Sequence, residues 1–74
     1  MTEYNVHAQY DTEAGVWVAE STDVPGLATE AETVDALVAK LRVMIPELLH
    51  ENGVPPSGVS VHIVGEYRAT LAAS

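Results

Sequence analysis

Two stretches of the chain alternate apolar and polar residues, which is the period of a strand with one buried face. They are residues 4–10, YNVHAQY, and residues 59–67, VSVHIVGEY. Residues 15–21, GVWVAES, indicate a third strand, which is apolar on both faces. A short extended piece, residues 27–31, has a low strand propensity that favours an edge position. The pattern therefore predicts four strands.

Between residues 34 and 49, apolar residues recur at three- and four-residue spacing and predict one amphipathic helix. Thr33 is expected to be its N-cap and Gly53 its C-terminal stop. Pro46 falls inside the pattern, so we expect a kink there or a restart as a second short helix. The predicted apolar stripe consists of Val34, Leu37, Val38, Leu41, Met44, Ile45, Leu48 and Leu49.

The connections between these elements predict a topology. Residues 11–15, DTEAG, are rich in turn formers and indicate a hairpin loop, and residues 24–27, VPGL, have the signature of a type II turn. Counting directions makes the last strand parallel to the first, and a right-handed crossover can place the two side by side. We expect an α+β fold with a three- to four-stranded mixed sheet in the order 3-2-1-4. One helix covers one face of this sheet, and no element covers the other.

The length of 74 residues predicts one domain, residues 1–74, with a tail at residues 68–74 that we expect to fray. A chain this short buries only about 60% of the surface that it exposes when unfolded, so its stability is marginal without further support. Because it contains no cysteine, that support is neither a disulfide nor a thiolate zinc site. A second subunit is the expected aid, and we predict a homodimer.

Eleven acidic residues against three basic ones give a net charge of −8. This excess argues against direct binding of nucleic acid and against an anionic membrane surface, because both need cations. It favours either a small basic protein partner or a purely solubilising role. No signal peptide and no apolar run long enough to cross a bilayer are visible, and the lack of cysteine fits a reducing compartment. We therefore expect a cytoplasmic protein.

Three segments resemble the HicB-like superfamily, and in particular its small stand-alone members, which are classed as a domain of unknown function. The segments are GVWVAES at 15–21, DVPGLATEAETVDALVAKL at 23–41 and IPELL at 45–49. The resemblance implies a partial ribonuclease-H-like fold of ββ-β-α-β type, in agreement with the predicted strand order. HicB proteins are antitoxins that mask a small basic RNA-cleaving toxin. Typical members also carry a C-terminal DNA-binding domain, for which 74 residues leave no room, so we expect no operon repression.

The acidic residues and the histidines are the candidates for metal-dependent chemistry. Ribonuclease-H-like catalysis needs several converging carboxylates that hold divalent metals, one of them on the first strand. That strand offers Asn5, His7 and Gln9 instead. His7 and His62 point to the same face of adjacent strands, but two imidazoles are too few for a tight zinc or copper site. We therefore expect no catalytic, metal-binding or cofactor-binding residues. The acids fall on turns and on the predicted edge strand, at Asp11, Glu13, Asp23, Glu30 and Glu32.

The orientation of the second strand decides which apolar residues remain for an interface. If Trp17 and Ala19 face the helix, Val16 and Val18 lie on the uncovered face; the reverse orientation exposes Trp17. An apolar strip on the uncovered face of a small sheet usually marks an association site. The edge of the third strand is the second choice for contact. The expected interface residues are Val16, Val18, His7, His62 and Val64.

Together these observations predict a non-enzymatic, HicB-like protein-binding module that forms a homodimer. Two alternatives stay open at the level of sequence. The first is an antitoxin-like protein that masks a small basic RNA-cleaving toxin. The second is a degenerate metal-dependent nuclease.

Overall fold

A computed structural model describes residues 2–55 and 58–71 of the chain. Its sheet has the order β3-β2-β1-β4, with β1 antiparallel to β2, β2 antiparallel to β3, and β1 parallel to β4. The predicted α+β fold, strand order and parallel pairing are therefore confirmed. The elements are β1 (Thr2–Asp11), β2 (Val16–Glu20), β3 (Ala28–Ala31), α1 (Val34–Glu51) and β4 (Val59–Glu66).

The loop between β1 and β2 is organised by Asp11. Its carboxylate Oδ1 accepts hydrogen bonds from the backbone N–H groups of Glu13 and Ala14, at 3.0 and 3.2 Å. The N–H of Gly15 donates to the Asp11 carbonyl at 2.8 Å, and Gly15 has a φ of +70°, which favours glycine. The predicted hairpin is confirmed, and the acid at position 11 has a structural role in it.

The connection from β2 to β3 is the turn expected at residues 24–27. The N–H of Leu27 donates to the carbonyl of Val24 at 3.2 Å, and Gly26 has a φ of +84°. These are the hydrogen bond and the positive φ of a type II turn, with Pro25 at the position that proline favours. Val24 and Leu27 are both buried, so the turn anchors itself in the core.

Helix α1 begins and ends where the sequence predicts. The Thr33 side chain accepts a hydrogen bond from the N–H of Ala36 at 3.0 Å, which identifies it as the N-cap. At the other end Gly53 has a φ of +75°, and its N–H donates to the carbonyl of His50 at 3.1 Å. This is the left-handed glycine stop of a Schellman motif.

Two details of the helix differ from the expectation. α1 is one helix from Val34 to Glu51, so a restart at Pro46 is wrong. Pro46 is exposed, and water can therefore reach the Arg42 carbonyl, which a proline four residues later leaves without its helical partner. Val34 is 47% exposed and lies outside the buried stripe. It is the first helical residue, and its side chain leans toward the helix N-terminus, past the packed turns.

The core lies between α1 and the sheet. The backbone of α1 comes within 8 Å (Cα–Cα) of β3 and β2 but of neither β1 nor β4 among the described elements. Ala19 is fully buried and Trp17 packs against the core, so these two face the helix, while Val16 and Val18 lie on the other side. The buried residues are Val6, Ala8, Ala19, Val24, Leu27, Ala31, Leu37, Leu41, Ile45 and Leu49.

The chain leaves the sheet at Tyr67, and residues 67–71 have no regular secondary structure. The remainder of the predicted tail, residues 72–74, lies outside the described residues. Within the described residues, no helix combines the length and the apolar character that crossing a membrane requires.

Candidate binding surfaces

The sheet face away from α1, called the open face below, is mostly polar. The strand registers place His7 beside Val64, Gln9 beside Val18 and Asn5 beside His62. Because side chains alternate along each strand, these pairs project to the same side. In the described strands the face is formed by Glu3, Asn5, His7, Gln9, Asp11, Val16, Val18, Glu20, Ala28, Glu30, Ser60, His62, Val64 and Glu66.

All five residues predicted for the interface lie on the open face, but their apolar members do not form one strip. Val18 on β2 and Val64 on β4 are 39% and 44% exposed, and β1 lies between them. His7 and Gln9 fill the intervening positions. Val16, at the corner of the sheet, is only half-buried. The open face thus offers separate apolar spots within a polar surface.

Each histidine of the open face has a carboxylate partner on the neighbouring strand. Nε2 of His7 lies 2.9 Å from Oε1 of Glu66, and Nδ1 of His62 lies 3.6 Å from Oε1 of Glu3. All four side chains are more than 40% exposed, so each pair stabilises the fold by at most about 1 kcal/mol. The described residues contain no group of three or more His, Cys, Asp or Glu side chains arranged to hold a metal ion. The two histidines therefore act as separate surface pairs.

Asp23 has a structural role that its sequence pattern did not reveal. Its Oδ2 accepts hydrogen bonds from the backbone N–H of Asn5 at 2.7 Å and from the Asn5 side chain at 3.2 Å. Ser21 joins the same junction, because its hydroxyl donates to the Asn5 carbonyl at 2.6 Å and accepts from the N–H of Val24 at 3.1 Å. The acid at position 23 thus fixes the end of β2 onto β1.

Between α1 and β4 runs an apolar channel of about 290 Å³, called the α1–β4 groove below. Its floor is the helix-facing side of β4, and its wall is the flank of α1 that faces β4. Among the described residues, Arg42 is its one charged lining residue, and no carboxylate lines it. The groove residues are Val38, Leu41, Arg42, Ile45, Pro46, Leu49, Val59, Val61 and Ile63.

The groove was not predicted from the sequence, because one helix was expected to cover the whole of one sheet face. The numbers of strands and helices already indicate such a groove. A sheet of four strands is roughly 19 Å wide, whereas one helix is only about 10 Å across. One helix therefore leaves part of the face uncovered, and that part lies over β4, which has three half-buried apolar residues on this side.

Three aromatic rings close the helix-facing side of the sheet where β1 ends. The ring centroids of Tyr10 and Trp17 lie 5.3 Å apart in an edge arrangement, and Tyr67 stacks on Tyr10 at 4.8 Å. Gly65 lies beneath Trp17, and a Cβ at this glycine would approach the indole to 3.5 Å. Trp17 is therefore a packing residue of the helix-facing side, and it holds the start of the tail against the sheet.

Comparison with known proteins assigns the chain to a family. Residues 3–72 match the family model described as Domain of unknown function (DUF1902), so the chain belongs to the DUF1902 family. A search of curated proteins finds no match. Among solved structures, the chain is similar to the crystal structure of hypothetical protein TTHA1013 from the extremely thermophilic bacterium Thermus thermophilus. The two share 55% sequence identity and a TM-score of 0.72, over 96% of this chain and 99% of that chain.

Proposed function

We propose that this protein is a non-enzymatic, HicB-like protein-binding module of the cytoplasm that forms a homodimer and recognises a partner through its open face. The observation that carries the proposal is the open face itself. Val18 and Val64 stand exposed there among hydrogen-bonding side chains, as in interfaces that combine apolar anchors with a polar surround. The HicB-like assignment is supported by the strand order and single helix, which match the arrangement that the sequence resemblance implies.

The non-enzymatic part of the proposal rests on how the acids are used. Asp11 and Asp23 each accept hydrogen bonds from the backbone at separate loops. Glu3 and Glu66 pair with different histidines near opposite ends of β4. A two-metal nuclease needs carboxylates that converge on ions about 4 Å apart. Purified protein supplemented with Mg²⁺ or Mn²⁺ is expected to leave RNA and DNA intact. Cleavage that disappears in a Glu66→Gln variant would show that the protein is a nuclease.

A second candidate function is the masking of a small basic protein, as HicB antitoxins do. The favouring observation is the acidity of the open face, which carries Glu3, Glu20, Glu30 and Glu66 on a chain of net charge −8. Such a face attracts a cationic partner and speeds its association. The binding of a basic partner weakens as salt is added, whereas association driven by apolar burial does not.

The test of the open face is affinity capture from native cells with matched baits. The wild-type chain is compared with Val18→Lys, which places a charge on the open face, and with Val34→Lys, which changes an exposed valine at the start of α1. We expect a partner that is retained by the wild type and by Val34→Lys and is lost with Val18→Lys. Equal capture by all three baits, or no specific capture at all, argues against a recognition role for this face.

A further inference from the structure

We infer that the α1–β4 groove is the self-association site of this protein and that it receives helix α1 of a second copy. The inference rests on the proposed homodimer and assigns the contact to the helix side of the sheet. The open face then stays free for a different partner.

The fold leaves room for a second helix beside α1. Helices pack side by side at about 8–10 Å, so the face of a four-stranded sheet, roughly 19 Å wide, takes two of them. α1 lies over β3 and β2. Val6 and Ala8 of β1 are nevertheless buried, so the vacant part of the face lies over β4, which is where the groove runs. A second helix beside α1 fits that space.

The lining of the groove is apolar and only partly covered. Val59, Val61 and Ile63 form its floor and are only half-buried, although each packs against the core. Leu41 and Ile45 form the lower wall and are almost fully buried. Covering this floor removes apolar surface from water, at about 25 cal/mol per Å². The groove is thus apolar surface next to the core that the single chain leaves partly uncovered.

The outer side of α1 favours a second copy of this chain as the occupant of the groove. The side of α1 that faces away from its own sheet carries exposed small or apolar residues beside exposed Asp35, Glu47 and His50; the small or apolar ones are Ala36, Ala39, Val43 and Pro46. Val43 is 60% exposed. Small side chains let two helices approach closely. The same molecule therefore has a vacant helix position and a helix with a partly apolar outer side, and a two-fold axis satisfies both at once.

Charge favours the same occupant. Two chains at −8 repel each other, and the repulsion is smaller where fewer acids meet. In the part of the chain that the structure describes, the groove lining has no carboxylate and includes Arg42, one of three basic residues in the sequence, so the acids on the arriving helix do not face further acids there. The open face carries at least four glutamates, so a second copy meets stronger repulsion there. A cationic partner, by the same argument, prefers the open face.

The resulting dimer has one layer of two helices between two sheets. Each helix packs on its own sheet and on β4 of its partner. Both open faces then point outward, on opposite sides of the dimer. The assembly presents two copies of the recognition surface, and neither is covered by the self-contact.

The experiment compares the self-association of three variants with that of the wild type by sedimentation equilibrium. Val61→Lys puts a charge on the groove floor, and Val43→Glu puts one on the outer side of α1. Val18→Lys is the matched control on the open face. We expect the dimer of both groove-side variants to weaken at least tenfold, by roughly the cost of an unpaired charge at an interface. The control is expected to dimerise like the wild type. Far-ultraviolet circular dichroism checks that each variant is folded, and Val43 is exposed enough for Val43→Glu to fold.

The outcomes separate this inference from the proposed homodimer. Wild-type-like dimers of Val43→Glu and of folded Val61→Lys overturn the groove assignment and leave the homodimer standing. Weakening by Val18→Lys also overturns it, because one two-fold contact cannot include both faces of the sheet. A wild-type chain that stays monomeric refutes the homodimer itself.

Discussion

The two faces of this small sheet use similar strands for different purposes. On the helix side, Val6, Val61 and Ile63 project into the core and the groove, and no carboxylate of the described residues lines the groove. On the open face, His7 and His62 pair with glutamates, and valines stand apart from one another. Within the described strands, the acidic side chains therefore lie on the open face, and most of the apolar ones lie on the helix side. A chain organised in this way can bind by burial on one face and by charge on the other.

The largest expected effect is in the wall that α1 shares between core and groove. Leu41 is 1% exposed, so Leu41→Ala should lower the free energy of unfolding by about 2–5 kcal/mol through lost burial and a cavity. Val34, at the start of the same helix, is 47% exposed, and Val34→Ala should change the free energy of unfolding by less than about 0.5 kcal/mol. Chemical denaturation measures both. A loss below 1 kcal/mol for Leu41→Ala, roughly the effect of a surface change, contradicts the assigned helix orientation.

A smaller effect is expected where α1 begins. Thr33→Ala removes the hydroxyl that accepts from the N–H of Ala36, and it should cost about 0.5–2 kcal/mol. Thr33→Ser keeps the hydroxyl and is the matched control, so it should retain most of the stability. Thermal unfolding monitored by circular dichroism compares the two. If alanine and serine behave alike, the hydrogen bond at the cap contributes nothing.

The smallest change in the free energy of unfolding is expected on the open face. Glu66→Gln removes the charge that faces His7, and because both side chains are largely exposed the unfolding free energy should change by less than about 1 kcal/mol. The same variant should leave self-association through the groove unchanged or slightly stronger, since it removes one negative charge per chain. Denaturation and sedimentation measure the two effects. A large loss of stability would mean that the open face contributes to the fold as the helix side does.

Periodicity and turn chemistry predicted most of the fold. Alternation located β1 and β4, Pro25-Gly26 located the turn, and Thr33 located the helix start. These are local signals, each set by a few neighbouring residues. The exceptions have local causes of their own. Val34 fits the spacing of the stripe but lies in the first turn, and Pro46 is tolerated inside α1 because it is on the exposed side.

The binding surfaces were harder to predict because they depend on placement across the sheet. Spacing shows that Leu41 and Ile45 share the buried side of α1, but it does not show which strands the helix crosses. The groove exists because α1 lies over β2 and β3. Similarly, the hydrogen bonds between Asp23 and Asn5, eighteen residues apart, follow from the long-range arrangement of the chain and not from any local motif.

The central claim is that apolar burial brings two copies of this chain together against their charge, and sedimentation equilibrium of the wild type tests it most directly. The measurement is made at micromolar concentration, at low and at high salt. Two chains of net charge −8 repel, and salt screens that repulsion beyond roughly 8 Å at physiological strength. The account predicts a dimer whose association strengthens as salt is added. A monomer at both salt concentrations would contradict it.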